Sequence, residues 1–183
     1  HLNFLASERN FKKNDNSTEE EISFFKNLDK WRHKEMGYYF IQGTKPQTLS
    51  YALSDSPVGL AAWISEKYYT WTDCNGSPED SISIDRMLAN ICLYWFTESI
   101  GSSFWLYYDR HNGEWPICAS NPITTPTGYA SFPKEIIKPP QSIAKKNYSN
   151  IIKWTEMERG GHFAALEEPE LLSRDICEFF SLF

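Results

Sequence analysis

The chain has 183 residues, enough for one ordinary domain with a packed core, and its 41% hydrophobic and 23% charged residues exclude a disordered chain. The net charge of -6 argues against a nucleic-acid partner, because neutralising phosphates requires a basic surface. Aromatic residues make up 16% of the chain, which fits either a well-filled core or a ring-lined pocket for an apolar substrate.

The first predicted helix follows a polar lead-in. Residues 1–16 are irregular, so we expect a solvated segment there. Residues 17–20 (STEE) combine a hydroxyl cap with acidic residues in a first turn, which predicts a helix start. We expect this helix to end at Gly37 and to bury apolar residues at helical spacing: Ile22, Phe25 and Leu28.

More helices are predicted before residue 112. Pro57 follows the cap Ser56 and opens a mostly buried helix over residues 58–69. Ser83 caps the next helix, and a shorter one follows that includes Tyr107. The stripe of the Ser83 helix fits the i, i+3, i+4 pattern at Ile84, Met87, Leu88, Ile91, Cys92 and Trp95. Residues 17–111 are therefore predicted to form a helical block without strands.

The pattern changes after His111, where prolines and glycines mark an irregular connection. Residues 127–132 predict a short strand, residues 151–157 a second strand, and residues 169–183 a final helix. Its apolar face is expected to contain Leu172, Ile176, Phe179, Phe180 and Phe183. Strands alternating with helices are typical of a parallel sheet covered by helices. Because two strands cannot form a stable sheet alone, we expect partner strands from another segment.

The spacing of the cysteines argues against a zinc site, and the length of the apolar runs argues against a membrane-spanning helix. The four cysteines fit no zinc-binding pattern, which predicts free, mostly buried thiols: Cys74, Cys92, Cys118 and Cys177. The longest apolar run, residues 58–64, is far shorter than the roughly 20 residues of a membrane-spanning helix. The chain opens with His1 rather than Met, which indicates either a processed start or a piece of a longer protein.

Two side chains are candidates for chemistry in the last third. Glu135 follows the first predicted strand and His162 follows the second. Functional groups gather at the carboxyl ends of parallel strands, so the two could meet, with the carboxylate orienting the imidazole as a general base. Without further support, Glu135 could equally be a solvated charge beside Lys134 and His162 an ordinary surface or core residue. The other histidines, His1, His33 and His111, lack such a setting.

Five segments resemble the microsomal-type epoxide hydrolases, including the insect juvenile hormone epoxide hydrolases. They are residues 37–48 (GYYFIQGTKPQT), 53–64 (LSDSPVGLAAWI), 93–95 (LYW), 126–133 (PTGYASFP) and 160–169 (GGHFAALEEP). They run in the family's order from Gly37 to near the C-terminus. The resemblance implies the C-terminal part of an α/β-hydrolase fold, comprising its last two parallel strands and flanking helices, plus an all-helical lid. The implied division is a lead-in over 1–16, a lid over 17–111 and hydrolase core over 112–183.

The resemblance also implies the roles of four residues. His162 is the general base, Glu135 orients it, and Tyr38 and Tyr107 donate hydrogen bonds to the epoxide oxygen. The match of Tyr107 rests on counting from residues 102–103, so its neighbour Tyr108 remains an alternative for the second oxygen donor. The family reaction uses no metal and no organic cofactor. Its substrates are water and a lipophilic epoxide. Juvenile hormone and the xenobiotic epoxides of detoxification are examples of such epoxides.

One part of the family's machinery is not found in the sequence. The nucleophilic Asp of the family sits in a Gly-rich elbow, and no Gly-x-Asp-x-Gly or Gly-x-Ser-x-Gly segment occurs here. We therefore expect an N-terminal half to carry the nucleophile and any attachment to the endoplasmic reticulum (microsomal) membrane. A truncated, inactive binding or regulatory form of the same family is the main alternative, and a lid fragment of an unrelated esterase is a third.

Overall fold

The structure, a computed structural model, describes residues 17–113 and 122–183. The predicted lead-in over residues 1–16 and the thiol of Cys118 lie outside the described residues. Among the helices of these two ranges, none combines the length and apolarity needed to cross a membrane.

Residues 17–113 contain helices and no strand, as predicted. The Ser56 hydroxyl accepts a hydrogen bond from the backbone N–H of Gly59 at 3.0 Å and so caps the predicted Pro57 helix. Two helices between residues 37 and 55 were not predicted, because the first begins without a capping side chain. The helices are α1 (Glu19–Glu35), α2 (Gly37–Thr44), α3 (Pro46–Asp55), α4 (Pro57–Trp71), α5 (Ile84–Phe96), α6 (Ile100–Ser103) and α7 (Trp105–Asn112).

Residues 122–183 contain the two predicted strands, and the strands are parallel. Their register places Tyr129 opposite Trp154 and Ser131 opposite Glu156. The elements in order are β1 (Thr127–Ser131), α8 (Gln141–Asn147), β2 (Ile151–Glu156), α9 (Ala164–Glu167) and α10 (Pro169–Phe180). The predicted α/β class with a parallel strand pair is confirmed.

The described residues divide into two compact units. Residues 17–31 and 122–183 form one, here called the sheet unit, and residues 32–113 form the helical unit. The first turns of α1 thus belong with the strands, although the sequence grouped them with the helical block. Their buried side chains explain this, since Phe24 and Leu28 pack against Ile137 and Ile143. Of the three predicted apolar positions, Leu28 is buried and Phe25 packs partly buried against this cluster, whereas Ile22 is exposed.

Glu21 completes the attachment of α1 to α8. It forms a reciprocal capping box with Thr18, at 3.2 Å in both directions. Its other carboxylate oxygen accepts from the Ser142 hydroxyl at 3.0 Å and the Lys146 ammonium at 3.1 Å. Burial alone would raise the pKa of Glu21, but the hydrogen bonds from Lys146, Thr18 and Ser142 outweigh burial and lower it.

Glu21→Gln is expected to lower the free energy of unfolding by about 1–2 kcal/mol at pH 7, because a neutral amide replaces the buried charged acceptor of the hydrogen bonds from Ser142 and Lys146. A lowered folded-state pKa contributes stability that is present above the unfolded pKa of about 4.3 and is lost as pH falls through the folded value. The variant should therefore lose less stability than the parent below about pH 5. Urea unfolding at pH 7 and pH 4 measures this, with the exposed Glu19→Gln as control. Equal pH dependence of variant and parent would contradict it.

The main core cluster of the helical unit contains Leu53, Leu60, Ile91, Ile100 and Phe104. Helix α4 was predicted to be mostly buried, but Val58 is 76% exposed, because only the face containing Leu60, Tyr68 and Trp71 is covered. The prediction of mostly buried thiols was wrong for two of the described cysteines, since Cys92 and Cys177 are free and exposed on outward helix faces.

Helix α10 is attached to β2 by charge and to β1 by an apolar contact. Asp175 is its buried residue, and its carboxylate binds the Lys153 ammonium and accepts from the Thr155 hydroxyl. The ring of Phe179 covers Gly128 of β1 so closely that a Cβ there would lie 2.7 Å from it. Of the other predicted apolar positions, Leu172 is partly buried, whereas Ile176, Phe180 and Phe183 are exposed.

Candidate active site

The loops that follow β1 and β2 run side by side. The Lys134 N–H donates to the carbonyl of Gly160 at 3.1 Å, and Lys134 pairs with Gly161 in an isolated parallel bridge. Glu135 and His162 are the next residues along each loop. The bridge therefore brings the two candidate side chains to the same edge of the sheet, where parallel strands end.

His162 and Glu135 are in direct contact. The distance from Nδ1 of His162 to Oε1 of Glu135 is 2.6 Å, and only 10% and 15% of their side chains are exposed. An ionised carboxylate only accepts hydrogen bonds, so in a neutral imidazole this contact favours the tautomer in which Nδ1 donates and Nε2 has the lone pair. The same oxygen accepts from the Ile136 N–H at 2.8 Å. The geometry suits an imidazole that takes a proton from water.

The backbone around His162 is held on both sides. Gly160 has φ +105°, and a Cβ there would lie 2.7 Å from a ring carbon of Phe132, so the turn requires glycine. On the other side, the Phe163 N–H donates to Oε1 of Glu167 at 2.8 Å. Glu167 was not predicted from the sequence. A carboxylate four residues after Phe163, at the end of the short α9, is the signal that could have identified it.

Tyr38 and Tyr107 are brought together by the packing of α2 against α7. Their ring centroids lie 5.8 Å apart, edge to face. The two helices approach closely because Gly43 has no side chain, since a Cβ there would lie 2.8 Å from Cβ of His111. The Asn112 amide also donates to the Gly43 carbonyl at 3.1 Å. Burial, reinforced by Tyr94 and opposed by Arg110, raises the pKa of Tyr107, so this phenol keeps its proton.

The neighbouring tyrosines have different surroundings. Tyr39 packs against His111, with centroids 5.7 Å apart, and also reaches the Tyr107 ring at 6.1 Å. Tyr108 is 40% exposed and packs on Trp105. Of the two alternatives on α7, Tyr107 is thus the one whose ring contacts Tyr38. The tyrosine pair lies in the helical unit and the histidine–glutamate pair in the sheet unit.

The other histidines and aspartates considered in the sequence have different settings. His33 is an exposed residue of α1, and His111 packs within the α2–α7 contact. Asp55 ends α3 and Asp73 lies in a loop, so neither occupies a strand-to-helix elbow. Across residues 17–113 and 122–183, no three His, Cys, Asp or Glu side chains are grouped as a metal site would require.

Comparison with curated proteins identifies close relatives. The chain is 45% identical over 158 residues to epoxide hydrolase 1 of Oryctolagus cuniculus, with 81% of the chain and 34% of that protein covered. It is 39% identical over 153 residues to juvenile hormone epoxide hydrolase 2 of Ctenocephalides felis, with 78% of the chain and 32% of that protein covered. The chain thus spans about a third of the length of these relatives. No protein-family model matches it.

Comparison with solved structures gives the same result for the fold. The epoxide hydrolase of Aspergillus niger superposes with a TM-score of 0.77 at 28% identity, covering 93% of this chain and 42% of that one. The juvenile hormone epoxide hydrolase of the silkworm Bombyx mori superposes with a TM-score of 0.71 at 33% identity, covering 81% and 40%. These neighbours are α/β-hydrolases, and the parallel strands with their helices match part of that fold.

Proposed function

This chain is homologous to the epoxide hydrolases over 81% of its length, and we propose that it carries the lid and the water-activating pair of such an enzyme. The helical unit would supply the lid, and the sheet unit would supply the end of the hydrolase core. The predicted boundary at residue 17 would then move to residue 32, because the first turns of α1 pack with the sheet unit.

The proposed reaction opens a lipophilic epoxide to a vicinal diol in two steps. A carboxylate oxygen of an Asp outside this chain attacks an epoxide carbon and breaks its bond to the ring oxygen. The oxygen becomes an alkoxide and takes a proton from Tyr38 or Tyr107, which leaves an ester between enzyme and substrate. Water, deprotonated by His162, then attacks the ester carbonyl. The diol leaves and the Asp carboxylate is restored. The proton that His162 took from water then returns to the tyrosinate, so the cycle consumes one epoxide and one water.

The contact between His162 and Glu135 carries this proposal. A buried imidazole whose Nδ1 donates to a carboxylate at 2.6 Å is held in the tautomer that can deprotonate water. The carboxylate also stabilises the imidazolium that forms when the proton is taken. Such a general base contributes roughly 10²–10⁴ to a rate. A solvated surface carboxylate would not be 15% exposed and hydrogen bonded to both an imidazole and a backbone N–H.

The aromatic content supports an apolar substrate for the whole protein. Rings from three helices meet around the tyrosine pair, since Tyr38 also packs edge to face on Trp71 at 5.2 Å. Such a lining accepts a hydrocarbon skeleton and leaves the phenol hydroxyls to recognise the epoxide oxygen. Terpenoid epoxides such as juvenile hormone and xenobiotic epoxides both fit this class. Membrane association at the endoplasmic reticulum would come from other parts of the protein.

The 183-residue chain by itself is expected to form no diol from a simple lipophilic epoxide, because it has no elbow aspartate to form the ester. The same chain joined to a nucleophile-bearing segment is expected to form the diol. Chromatography of the products measures both. Diol from the chain alone would contradict the assignment of the nucleophile to another segment. A joined polypeptide that binds the epoxide without converting it would favour the binding or regulatory alternative.

A further inference from the structure

Lys67 of α4 lies against the rings of the proposed site. Its Nζ is 4.7 Å from the centroid of the Tyr38 ring and 4.8 Å from that of Trp71. Both distances are within the range in which an ammonium is attracted to an aromatic face. Only 18% of the Lys67 side chain is exposed, which is unusual for a lysine. The ammonium is therefore withdrawn from solvent and placed over the phenol that is proposed to act on the substrate.

Two carboxylates hold the ammonium in this place. Nζ of Lys67 lies 2.7 Å from Oε2 of Glu66 and 3.7 Å from Oε2 of Glu35. Glu66 is half-exposed, so solvent screens its charge, whereas the Glu35 side chain is only 9% exposed. Lys67 thus has contacts on α1, on α2 and within α4, and it cannot swing into solvent without breaking them. This fixed position distinguishes it from the solvated lysines of the helical unit.

We propose that Lys67 is a positioning residue for Tyr38, whose ammonium orients the ring and makes the phenol a stronger hydrogen-bond donor toward the epoxide oxygen. The inference rests on the proposed function, since it assigns a partner to one of the two oxygen donors. The physical reason is that a cation over the ring stabilises negative charge on the phenol oxygen. That charge grows as the phenol gives up its proton to the alkoxide during ring opening.

Other charged groups near the tyrosine pair do not replace Lys67. Glu35 on α1 and Glu66 on α4 carry the opposite charge and act on Tyr38 by holding the ammonium. Arg110 on α7 acts on Tyr107, and His111 packs against Tyr39. Lys67 is the cation that lies over the Tyr38 ring in the described part of the helical unit. Removing the charge of Lys67 should therefore change mainly the ionisation of the Tyr38 phenol.

The test uses the complete enzyme with substitutions at Lys67, Lys34 and Tyr38. Lys67→Met removes the charge and keeps the apolar stem, Lys67→Arg keeps a cation, and Lys34→Met is the matched control. Lys34 also lies near Glu35, at 3.9 Å, but its side chain is 82% exposed. Lys67→Gln, which can still bond the two carboxylates, replaces Lys67→Met if the methionine variant does not fold. Two quantities are measured, the rate of enzyme-ester formation in a single turnover and the ionisation of residue 38.

Ionisation at position 38 is followed with a fluorinated tyrosine introduced at that position alone, because its phenol titrates nearer neutrality, where lysines keep their protons. Lys67→Met should raise the titration midpoint by roughly half to one pH unit and slow ester formation roughly twofold to tenfold. Lys67→Arg and Lys34→Met should leave both nearly unchanged. In a Tyr38→Phe background, Lys67→Met should have no further effect on ester formation, since the hydroxyl it acts through is gone.

An unchanged midpoint in Lys67→Met would overturn the inference, and so would an equal loss of rate in the Tyr38→Phe background, which would show a purely structural role. Failure of the proposed function has a different signature. If the midpoint rises while neither Lys67→Met nor Tyr38→Phe slows ester formation, the coupling between Lys67 and Tyr38 stands. In that case Tyr38 does not act as a donor to the epoxide oxygen, and the proposed function fails at that residue.

Discussion

Replacing His162 with glutamine in the complete enzyme is expected to trap the enzyme as a covalent ester with its substrate. Steady-state turnover should fall by roughly 10²–10⁴, because glutamine cannot take a proton from water. The first step should persist, since ring opening needs the aspartate and the phenols but no general base. Catalysis would then stop after one equivalent of substrate per enzyme.

Glutamine is the sharpest substitution at this position because its amide can keep the contact with Glu135. The side-chain N–H₂ can donate to the carboxylate as Nδ1 does, so the buried charge of Glu135 retains a partner. A loss of turnover would therefore report the missing base rather than a collapsed loop. Far-ultraviolet and near-ultraviolet circular dichroism of the variant should match those of the parent.

Rapid quenching with a radiolabelled epoxide, followed by mass spectrometry of the denatured protein, measures the trapped ester. The label should accumulate to about one equivalent in His162→Gln and stay at a low steady-state level in the parent. His33→Gln, an exposed histidine of α1, is the matched control and should behave as the parent does. A His162→Gln variant that is inactive without accumulating label would show that His162 is not the base of the second step.

Tyr38→Phe and Tyr107→Phe are each expected to slow formation of the ester by roughly 10²–10³, the usual cost of losing one donor to a developing oxyanion. Phenylalanine keeps the ring and its edge-to-face contact, so the 5.8 Å packing of α2 against α7 should survive. The substitutions therefore remove the hydroxyl and little else. Because both phenols act on the same oxygen, the double variant should lose less than the product of the two single effects.

Single-turnover kinetics with an excess of enzyme separates this effect from release of the diol. The neighbouring Tyr39→Phe and Tyr108→Phe are the matched controls, because each removes one hydroxyl from the same turn of helix. Tyr108→Phe should change the rate of ester formation less than Tyr39→Phe does, since Tyr108 is exposed and packs on Trp105. If Tyr108→Phe slows ester formation and Tyr107→Phe does not, the assignment on α7 is one residue out of register.

Strands were easier to predict here than the buried faces of helices. Residues 127–132 are stopped by Pro133 and residues 151–157 by Gly160 and Gly161, and the structure has strands at Thr127–Ser131 and Ile151–Glu156. Helix α1 was predicted in the right place and Leu28 is buried as expected. Ile22 is exposed instead, and Glu21 occupies a buried position through its bonds to Lys146 and Ser142. A hydrophobic pattern counts such a carboxylate as exposed.

The residues of the candidate site also fall into those that the sequence predicted and those that it did not. The positions of Glu135 and His162 just after neighbouring strands were visible in the sequence, and so was the resemblance that names the tyrosines. Lys67 and Glu167 were not, because a lysine or glutamate on a helix is ordinarily solvated. Lys67 acquires its setting from Tyr38 and Trp71, which lie 29 residues before it and 4 residues after it in the chain.

By itself, the sequence of this protein located both strands and the helices α1, α4, α5 and α10, though not α2 and α3, because caps, prolines and glycines act through neighbouring residues. It also determined the family to which the motifs point. Only the tertiary structure decided which faces are covered, that α1 packs with the strands, and that an ammonium sits over the Tyr38 ring. The physical reason is that burial and charge pairing depend on distances between residues remote in the chain, and these distances exist only once the backbone is folded.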